Sequence, residues 1–413
     1  MRQRIFRKVR CFMQQKRLLW LLSAALWLCL IGLAFFSNTS CSETDEYQYP
    51  KPPTTDMPFL EIETKVDMGT ISTVRDILMA AGQDGNLYLW DWRDLSKDPK
   101  FIELDPKLWI TQWDSPPPAF NKVCTLLSQK WVIHTLHEEQ DTILIFREVD
   151  GQKEVNRWAV GKEWDCDQLR STRNGKFVAV YLDADRNQCV EGVNFRGDAR
   201  GYRLGLIGPG PKDIQWLPQT FFRNKHNLPL LKAVAASENG NYVCEVGSLE
   251  GGWILLTDMV KKRVVWEQVA EGEAVPYGQW TVAFNDVCFS PDSKRIYVAG
   301  NTGLFCFDVA TGKIMKQWPM PARAASVAIS PDERLLAGGL PGTGDVYICD
   351  VNSTTRIGSP VLRLRTGQHS VYGLAFSPDS KFLATEGVIE KNIKIWKMPP
   401  QSLETKTVTK ENE

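Results

Sequence analysis

Two hydrophobic patterns divide the chain. The first is a single unbroken run: the nineteen residues from Leu18 to Phe36 (LLWLLSAALWLCLIGLAFF) carry no charge. The second extends from about residue 58 to 399. It is a succession of short runs rich in β-branched and aromatic residues, each bounded by Gly, Pro, Asn, Asp or Ser. Runs of that length and composition predict β-strands separated by tight turns, and so an all-β fold.

The first run predicts a transmembrane helix. At about 1.5 Å of rise per residue it just spans a hydrocarbon core of about 30 Å. Seven basic and no acidic side chains precede it in residues 1–17, and the acids Glu43, Asp45 and Glu46 follow. That asymmetry keeps residues 1–17 cytoplasmic and sends everything after Phe36 to the far side of the membrane. An uncleaved signal anchor fits the length best, because a cleavable apolar region is normally about 7–15 residues. Two alternatives stand beside it. One is a signal peptide cleaved in the small residues Ser37 to Ser42. The other is lipoprotein processing at Cys41, which Ser40 and Thr39 suit and Asn38 does not. Residues 37–57 are polar and Pro-rich, which predicts an extended tether stiffened by Pro52 and Pro53. Residues 400–413 read as a disordered polar tail.

The second pattern is periodic. Val287-Cys-Phe-Ser-Pro-Asp-Ser-Lys294, Val327-Ala-Ile-Ser-Pro-Asp-Glu-Arg334 and Leu374-Ala-Phe-Ser-Pro-Asp-Ser-Lys381 place a Ser-Pro-Asp triplet at 290, 330 and 377, spaced by 40 and 47 residues. A period near 40–45 is that of a four-stranded propeller blade, with Pro and Asp pre-setting a tight turn. Here the sequence resembles the WD-repeat family, whose blades read apolar strand, Ser-Pro-Asp-Gly turn, second strand, short turn, third strand ending in Trp-Asp, then Thr-Gly-Lys. Weaker copies lie upstream. Ile77 to Asp91 ends in Trp90-Asp91. Lys130 to His134 and Thr142 to Phe146 precede Val149-Asp-Gly-Gln-Lys153. Two more copies follow Thr172-Arg-Asn-Gly175 and Ser237-Glu-Asn-Gly240. Together these make seven blades. The seventh lacks an outer strand, since Pro399 and Pro400 follow Lys397, while Phe59 to Lys65 is a spare alternating strand before the first. A propeller closes its ring when an N-terminal strand completes the last blade, which removes exposed edges. The match of spare and missing strand predicts seven blades over 58–399.

The pattern also departs from the family. The Gly-His pair that opens a blade is approached only at Gln368-His369, and its turn Asp partner is Lys391 or Asn392. The family's His-centred hydrogen-bond network is therefore expected to be missing. Spacing is uneven too: Thr172 to Ser237 is 65 residues, with the excess near Cys189 to Asn227. Insertions in repeat proteins map to surface loops, often on one binding face. This one supplies the candidate partner surface Arg196, Arg200, Arg203, Trp216, Phe221 and Phe222.

Composition narrows the chemistry. Lys+Arg and Asp+Glu are both 49, so there is no basic excess to hold nucleic acid. Only 4 histidines leave little material for metal or acid–base sites. His134 and His137 fall on opposite faces of a strand, which argues against a shared metal. Cys166 and Cys189 flank one hairpin and are the pair to test for a disulfide, which an extracytoplasmic setting permits. Cys244, Cys288, Cys306 and Cys349 sit in strand patterns and read as buried thiols. Asp308 to Trp318 also resembles the repeat of quinone-dependent dehydrogenase propellers, with Trp158, Trp266 and Trp318 in comparable places, but no calcium or quinone-ligand set accompanies it. Arg196-Gly-Asp198 is an integrin-type tripeptide, and such short motifs recur by chance. The expected function is a membrane-anchored extracytoplasmic scaffold that binds protein partners, with no catalytic residue, cofactor, metal, nucleic acid or small-molecule substrate. The alternatives are a hydrolytic or quinone-dependent enzyme with its site at the channel mouth, and an envelope-assembly or transport accessory lipoprotein.

Overall fold

A computed structural model describes residues 52–400, except 65, 67, 83, 85, 105–123, 129, 139–140, 151–152, 162–163, 185–201, 218–229, 249–250, 272–273, 276–278, 281–282 and 388–389. The membrane-type run from Leu18 to Phe36 and Cys41 lie outside the described residues. Among the described residues no helix is long and apolar enough to cross a membrane.

The strands form seven antiparallel sheets, each built mainly from consecutive strands. Blade one is Met68–Val74, Ile77–Gly82, Asn86–Asp91 and Lys100–Glu103; blade two is Cys124–Leu127, Trp131–Glu138, Asp141–Glu148 and Glu154–Gly161. Blade three is Trp164–Ser171, Val178–Ala184, Tyr202–Ile207 and Ile214–Trp216; blade four is Leu230–Ala236, Tyr242–Ser248, Gly251–Asp258 and Arg263–Glu271. Blade five is Phe284–Phe289, Arg295–Gly300, Gly303–Asp308 and Ile314–Pro319; blade six is Ser326–Ile329, Leu335–Gly339, Asp345–Asp350 and Pro360–Arg365. Blade seven takes only three consecutive strands, Val371–Phe376, Phe382–Gly387 and Asn392–Lys397. Its outer strand is Leu60–Glu63, which pairs antiparallel with the third strand (Leu60 opposite Ile395, Ile62 opposite Ile393). The spare N-terminal strand therefore closes the ring as its pattern predicts. Just upstream, Thr54–Thr55 adds in parallel to the outer strand of blade six, with Arg363 N donating to Pro53 O.

The apolar residues explain why the sheets stack radially. Strands of a propeller blade are buried on both faces, so both odd and even positions are apolar. In Arg295–Gly300, Ile296 and Val298 face blade four while Tyr297 and Ala299 face blade six. The core is accordingly split into seven clusters, one between each pair of neighbouring blades. Trp318 and Trp396 are wholly enclosed in two of them, and burying an apolar side chain of that kind contributes about 1.5–3 kcal/mol.

Polar hooks reinforce the apolar slabs. Trp266 Nε1 donates to Val309 O of blade five at 2.8 Å, and Trp318 Nε1 donates to Asp350 O of blade six at 3.4 Å. Each indole lies so close over a glycine of the next blade, Gly312 or Gly358, that a Cβ there would collide with the ring. The Trp positions shared with quinone-dependent propellers are thus inter-blade docking positions. Trp158 is half-buried against the slab between blades two and three.

One sequence expectation is corrected in blade seven. Trp396 Nε1 donates to Thr385 Oγ1 at 3.0 Å, Thr385 Oγ1 donates to Gln368 Oε1 at 2.9 Å, and Gln368 Nε2 donates to Asn392 Oδ1 at 3.1 Å. No histidine takes part, as expected, but a network without histidine stands in its place. A primary amide supplies one acceptor and one donor, as a neutral imidazole does, so Gln368 substitutes for the histidine and Asn392 for the aspartate. Replacing Gln368 by Leu leaves the Thr385 hydroxyl and the Asn392 amide unpaired in the interior. That should cost about 1–3 kcal/mol, measured by urea unfolding, whereas Gln368→His should retain most of the stability.

Candidate functional site

The two ends of the ring differ. In each antiparallel blade the turn between first and second strands and the turn between third and fourth strands emerge at one end. The second-to-third turns and the links between blades emerge at the other. At the first end the connections are short. The turns Thr172–Gly175, Ser237–Gly240, Ser290–Ser293, Ser330–Glu333 and Ser377–Ser380 share one construction. The leading hydroxyl accepts the backbone N–H five residues on (Arg295 N to Ser290 Oγ, 2.9 Å) and, in blade five, donates to the Asp292 carboxylate.

The fourth position of these turns is left-handed. Gly175 and Gly240 fill it in blades three and four, but Ser293 (φ 60°), Glu333 (φ 56°) and Ser380 (φ 61°) fill it in blades five to seven. A side chain there is disfavoured, and the structure shows what it does. Ser293 Oγ accepts from Asn239 N at 3.3 Å, Glu333 Oε1 from Asp292 N at 3.1 Å and Ser380 Oγ from Asp332 N at 3.1 Å. In blade four Glu238 performs the same task from the second position, accepting from Arg173 N and Asn174 N. From blade three to blade seven each turn is thus tied to the turn of the blade before it.

At the other end lie the long connections. Residues 104–123 link blades one and two, 185–201 join the second and third strands of blade three, 217–229 link blades three and four, and 272–283 link blades four and five. The described strand ends that they join lie at this end, on neighbouring blades. Only the last contributes described strands, the hairpin Ala274–Val275 and Gln279–Trp280.

The candidate partner residues divide accordingly. Arg196, Arg200, Phe221 and Phe222 belong to two of these connections and lie outside the described residues. Arg203 and Trp216 do not belong to a loop: they sit in the third and outer strands of blade three, opposite Leu182 and Gly205. Trp216 is half-buried in the slab against blade two, where its ring covers Gly205 so closely that a Cβ would clash. The excess length near Cys189 to Asn227 is expected to form a surface loop, as insertions in repeat proteins do, but it holds two strands of blade three. Gly205 makes room for the tryptophan. Cys166 is buried with Sγ 3.8 Å from Gln168 O, and Cys189 lies outside the described residues.

The inner strands enclose a channel with a cavity of about 250 Å³. Its charged lining was not apparent from the sequence, because charges on inner strands look like ordinary solvent-facing positions. Arg170 Nη1 of blade three reaches past blade four to Asp286 Oδ1 of blade five at 2.5 Å. Asp286 also accepts from Val287 N and, through Oδ2, from Val327 N of blade six at 2.9 Å. One carboxylate therefore joins three blades across the channel. Cys288, beside this pair, has its thiol pushed up to about 12 by burial. Both lining carboxylates, Asp286 and Glu238, are already bound by N–H donors, and among the described residues no His, Cys, Asp and Glu group is placed to hold a metal. His134 is buried in the second strand of blade two. Truncating Asp286 to Ala should destabilise the ring by about 1–3 kcal/mol, since the half-buried Arg170 loses its counter-ion and Val327 N its acceptor, read as a loss of Tm; Arg170→Met with Asp286→Leu together should cost less than Asp286→Ala alone.

A second buried charge lies away from the channel. Glu245, in the second strand of blade four, stands opposite Val234 and Leu255 on the face turned to blade three. Burial raises its carboxyl from 4.5 to about 8. Below 4.5 the carboxyl is protonated whether the chain is folded or not. Between 4.5 and 8 the unfolded chain ionises and the folded one resists, so stability falls as pH rises through this window and levels off above it. Tm of the wild type should therefore drop between about pH 5 and pH 8, and Glu245→Gln should remove much of that drop while matching wild type near pH 5.

A family model described as "WD domain, G-beta repeat" matches residues 358–397, the stretch containing blade seven and the end of blade six. A comparison with curated protein sequences finds no match. Several solved structures share the fold. A chain of a mitotic checkpoint complex aligns with a TM-score of 0.60 at 12% identity, covering 87% of this chain and 98% of that one. The β-propeller domain of Myceliophteria thermophila Cps50 (Swd1) aligns with a TM-score of 0.58 at 12% identity, covering 84% and 100%. Hydrazine synthase of Kuenenia stuttgartiensis aligns with a TM-score of 0.56 at 15% identity, covering 83% and 99%. At such identities the likeness is one of fold: a seven-bladed β-propeller with WD-type repeats.

Proposed function

We propose that this chain is a membrane-anchored, extracytoplasmic propeller that acts as a non-catalytic scaffold, binding protein partners through one face. The observation that carries the reading is the asymmetry of the ring. At one end short turns are hydrogen-bonded to one another from blade three to blade seven, and the four long connections join strands at the other. Rigid frameworks that display irregular segments from one side are suited to recognition, since the segments can vary while the frame holds them in register. Membrane anchoring rests on the charge-flanked run from Leu18 to Phe36. WD-type propellers generally bind proteins, and one of the similar structures is a chain of a checkpoint complex. The saturation of Asp286 and Glu238 by donors supports the non-catalytic part, because a general acid or base needs an accessible carboxylate.

The test is crosslinking and affinity purification of the full chain from its native membrane. A protein partner should be recovered with wild type and with Lys294→Glu at the short-turn end. It should be lost when residues 185–201 are replaced by a short Gly-Ser turn. Turnover of a small molecule with no protein recovered would overturn the scaffold reading.

A further inference from the structure

We infer that the turn between the third and outer strands of blade four, with the two valines that follow it, is a second and peripheral membrane contact that takes anionic lipid headgroups. The inference rests on the membrane-anchored reading above and extends it to a named surface. The turn, Asp258-Met-Val-Lys-Lys-Arg263, has the strand register of Asp308-Val-Ala-Thr-Gly-Lys313 in blade five. Met259 N donates to Asn241 O as Val309 N donates to Lys294 O, and Asp258 Oδ1 accepts from Val260 N and Lys261 N as Asp308 Oδ1 accepts from Thr311 N. The backbones agree and the side chains do not.

Three departures coincide in this turn. Gly312 takes the left-handed position of the blade-five turn at φ 71°, and Lys262 takes it in blade four at φ 51°. Unlike Ser293, Glu333 and Ser380, which hold an N–H of the neighbouring blade, Lys262 makes no hydrogen bond or ion pair among the described residues. Its strain therefore goes uncompensated within the fold, and such strain is retained where it has another use. Second, Val260, Val264 and Val265 are 69%, 46% and 40% exposed. The bulge at Val265, between the pairs Trp266–Leu256 and Val264–Thr257, recurs at Met315 of blade five, itself 50% exposed, so what blade four adds is the exposed Val260 and Val264 on either side of the cations. Third, two of the three cations are unmatched: Lys261 Nζ pairs with Asp258 Oδ2 at 3.6 Å, while Lys262 and Arg263 form no ion pair among the described residues.

Exposed valines interleaved with three consecutive cations are what a bilayer surface selects: aliphatic groups enter the headgroup boundary and the cations meet phosphate. The N-terminal anchor would hold the turn at high local concentration near such a surface, so a weak contact suffices. Each Lys or Arg should contribute about fivefold in affinity for an anionic surface.

The test places the full chain in phosphatidylcholine vesicles with and without phosphatidylglycerol and follows amide hydrogen exchange over residues 259–266. Slower exchange in the anionic vesicles, reversed by high salt and abolished in Val260→Asp/Val264→Asp without loss of Tm, is expected. Equal exchange in both vesicles overturns the inference. Protection that instead grows with protein concentration in detergent also overturns it, in favour of a second copy of the chain. Alkali-resistant retention in both vesicles reads the anchor separately. If the chain washes off both, the anchor fails while the turn is still judged on anionic lipid alone. Lys262→Gly should raise Tm and weaken the anionic protection.

Discussion

Every blade of this protein is apolar on both faces, and that requirement governs the rest of the structure. No blade can be left at the end of a row, because its outer face would expose a slab's worth of aliphatic and aromatic surface. The only arrangement that covers seven such sheets is a ring, and a ring has a seam. The seam here is closed by Leu60–Glu63 on blade seven and reinforced by Thr54–Thr55 on blade six. The N-terminal segment is therefore part of the propeller before it is part of any tether. The inter-blade polar contacts fit the same requirement. Trp266 and Trp318 dock on the next blade, Asp286 ties blade three to blades five and six, and the turn side chains tie each rim to its neighbour. All of them act between blades, where the stability of the ring is decided.

What was legible in the sequence follows from this physics. Turn chemistry is local, so the Ser-Pro-Asp triplets identified blades five to seven directly. Closure was legible because a spare strand and a missing strand had to match. The blade-three insertion was read too simply, since Gly205 looks like a loop residue until Trp216 is seen lying over it. The Gln368 chain was missed because a residue's hydrogen-bonding role was inferred from its name. An amide and an imidazole present the same donor and acceptor, and only the geometry around Thr385 and Asn392 shows that they are interchangeable here. The channel pair was illegible in principle: Arg170 and Asp286 are 116 residues apart, and nothing local relates them.

The candidate surface illustrates a different limit. Sequence reasoning placed it in one insertion of one blade. The described strand ends that the four long connections join lie at one end of the ring. Excess length is visible along a chain, but which end it emerges from depends on counting strands correctly, and in blade three two of the four strands lay inside the segment taken as loop.

Blade four departs from the repeat at two positions, and these departures are not of one kind. Glu245 stands where blade seven has Thr385, as the two turns Ser237 and Ser377 align, so a carboxyl occupies the place of a hydroxyl in a buried strand. Lys262 stands where blade five has Gly312. The first is enclosed between blades and can act only on stability. The second is exposed and strained, with no partner to justify it inside the fold. Repeats make this distinction possible, because each blade is a control for its neighbours: the same backbone, solved several times, shows which side chains the fold requires. Residues that break a local rule and gain nothing from the surrounding structure point outward, to what the protein meets.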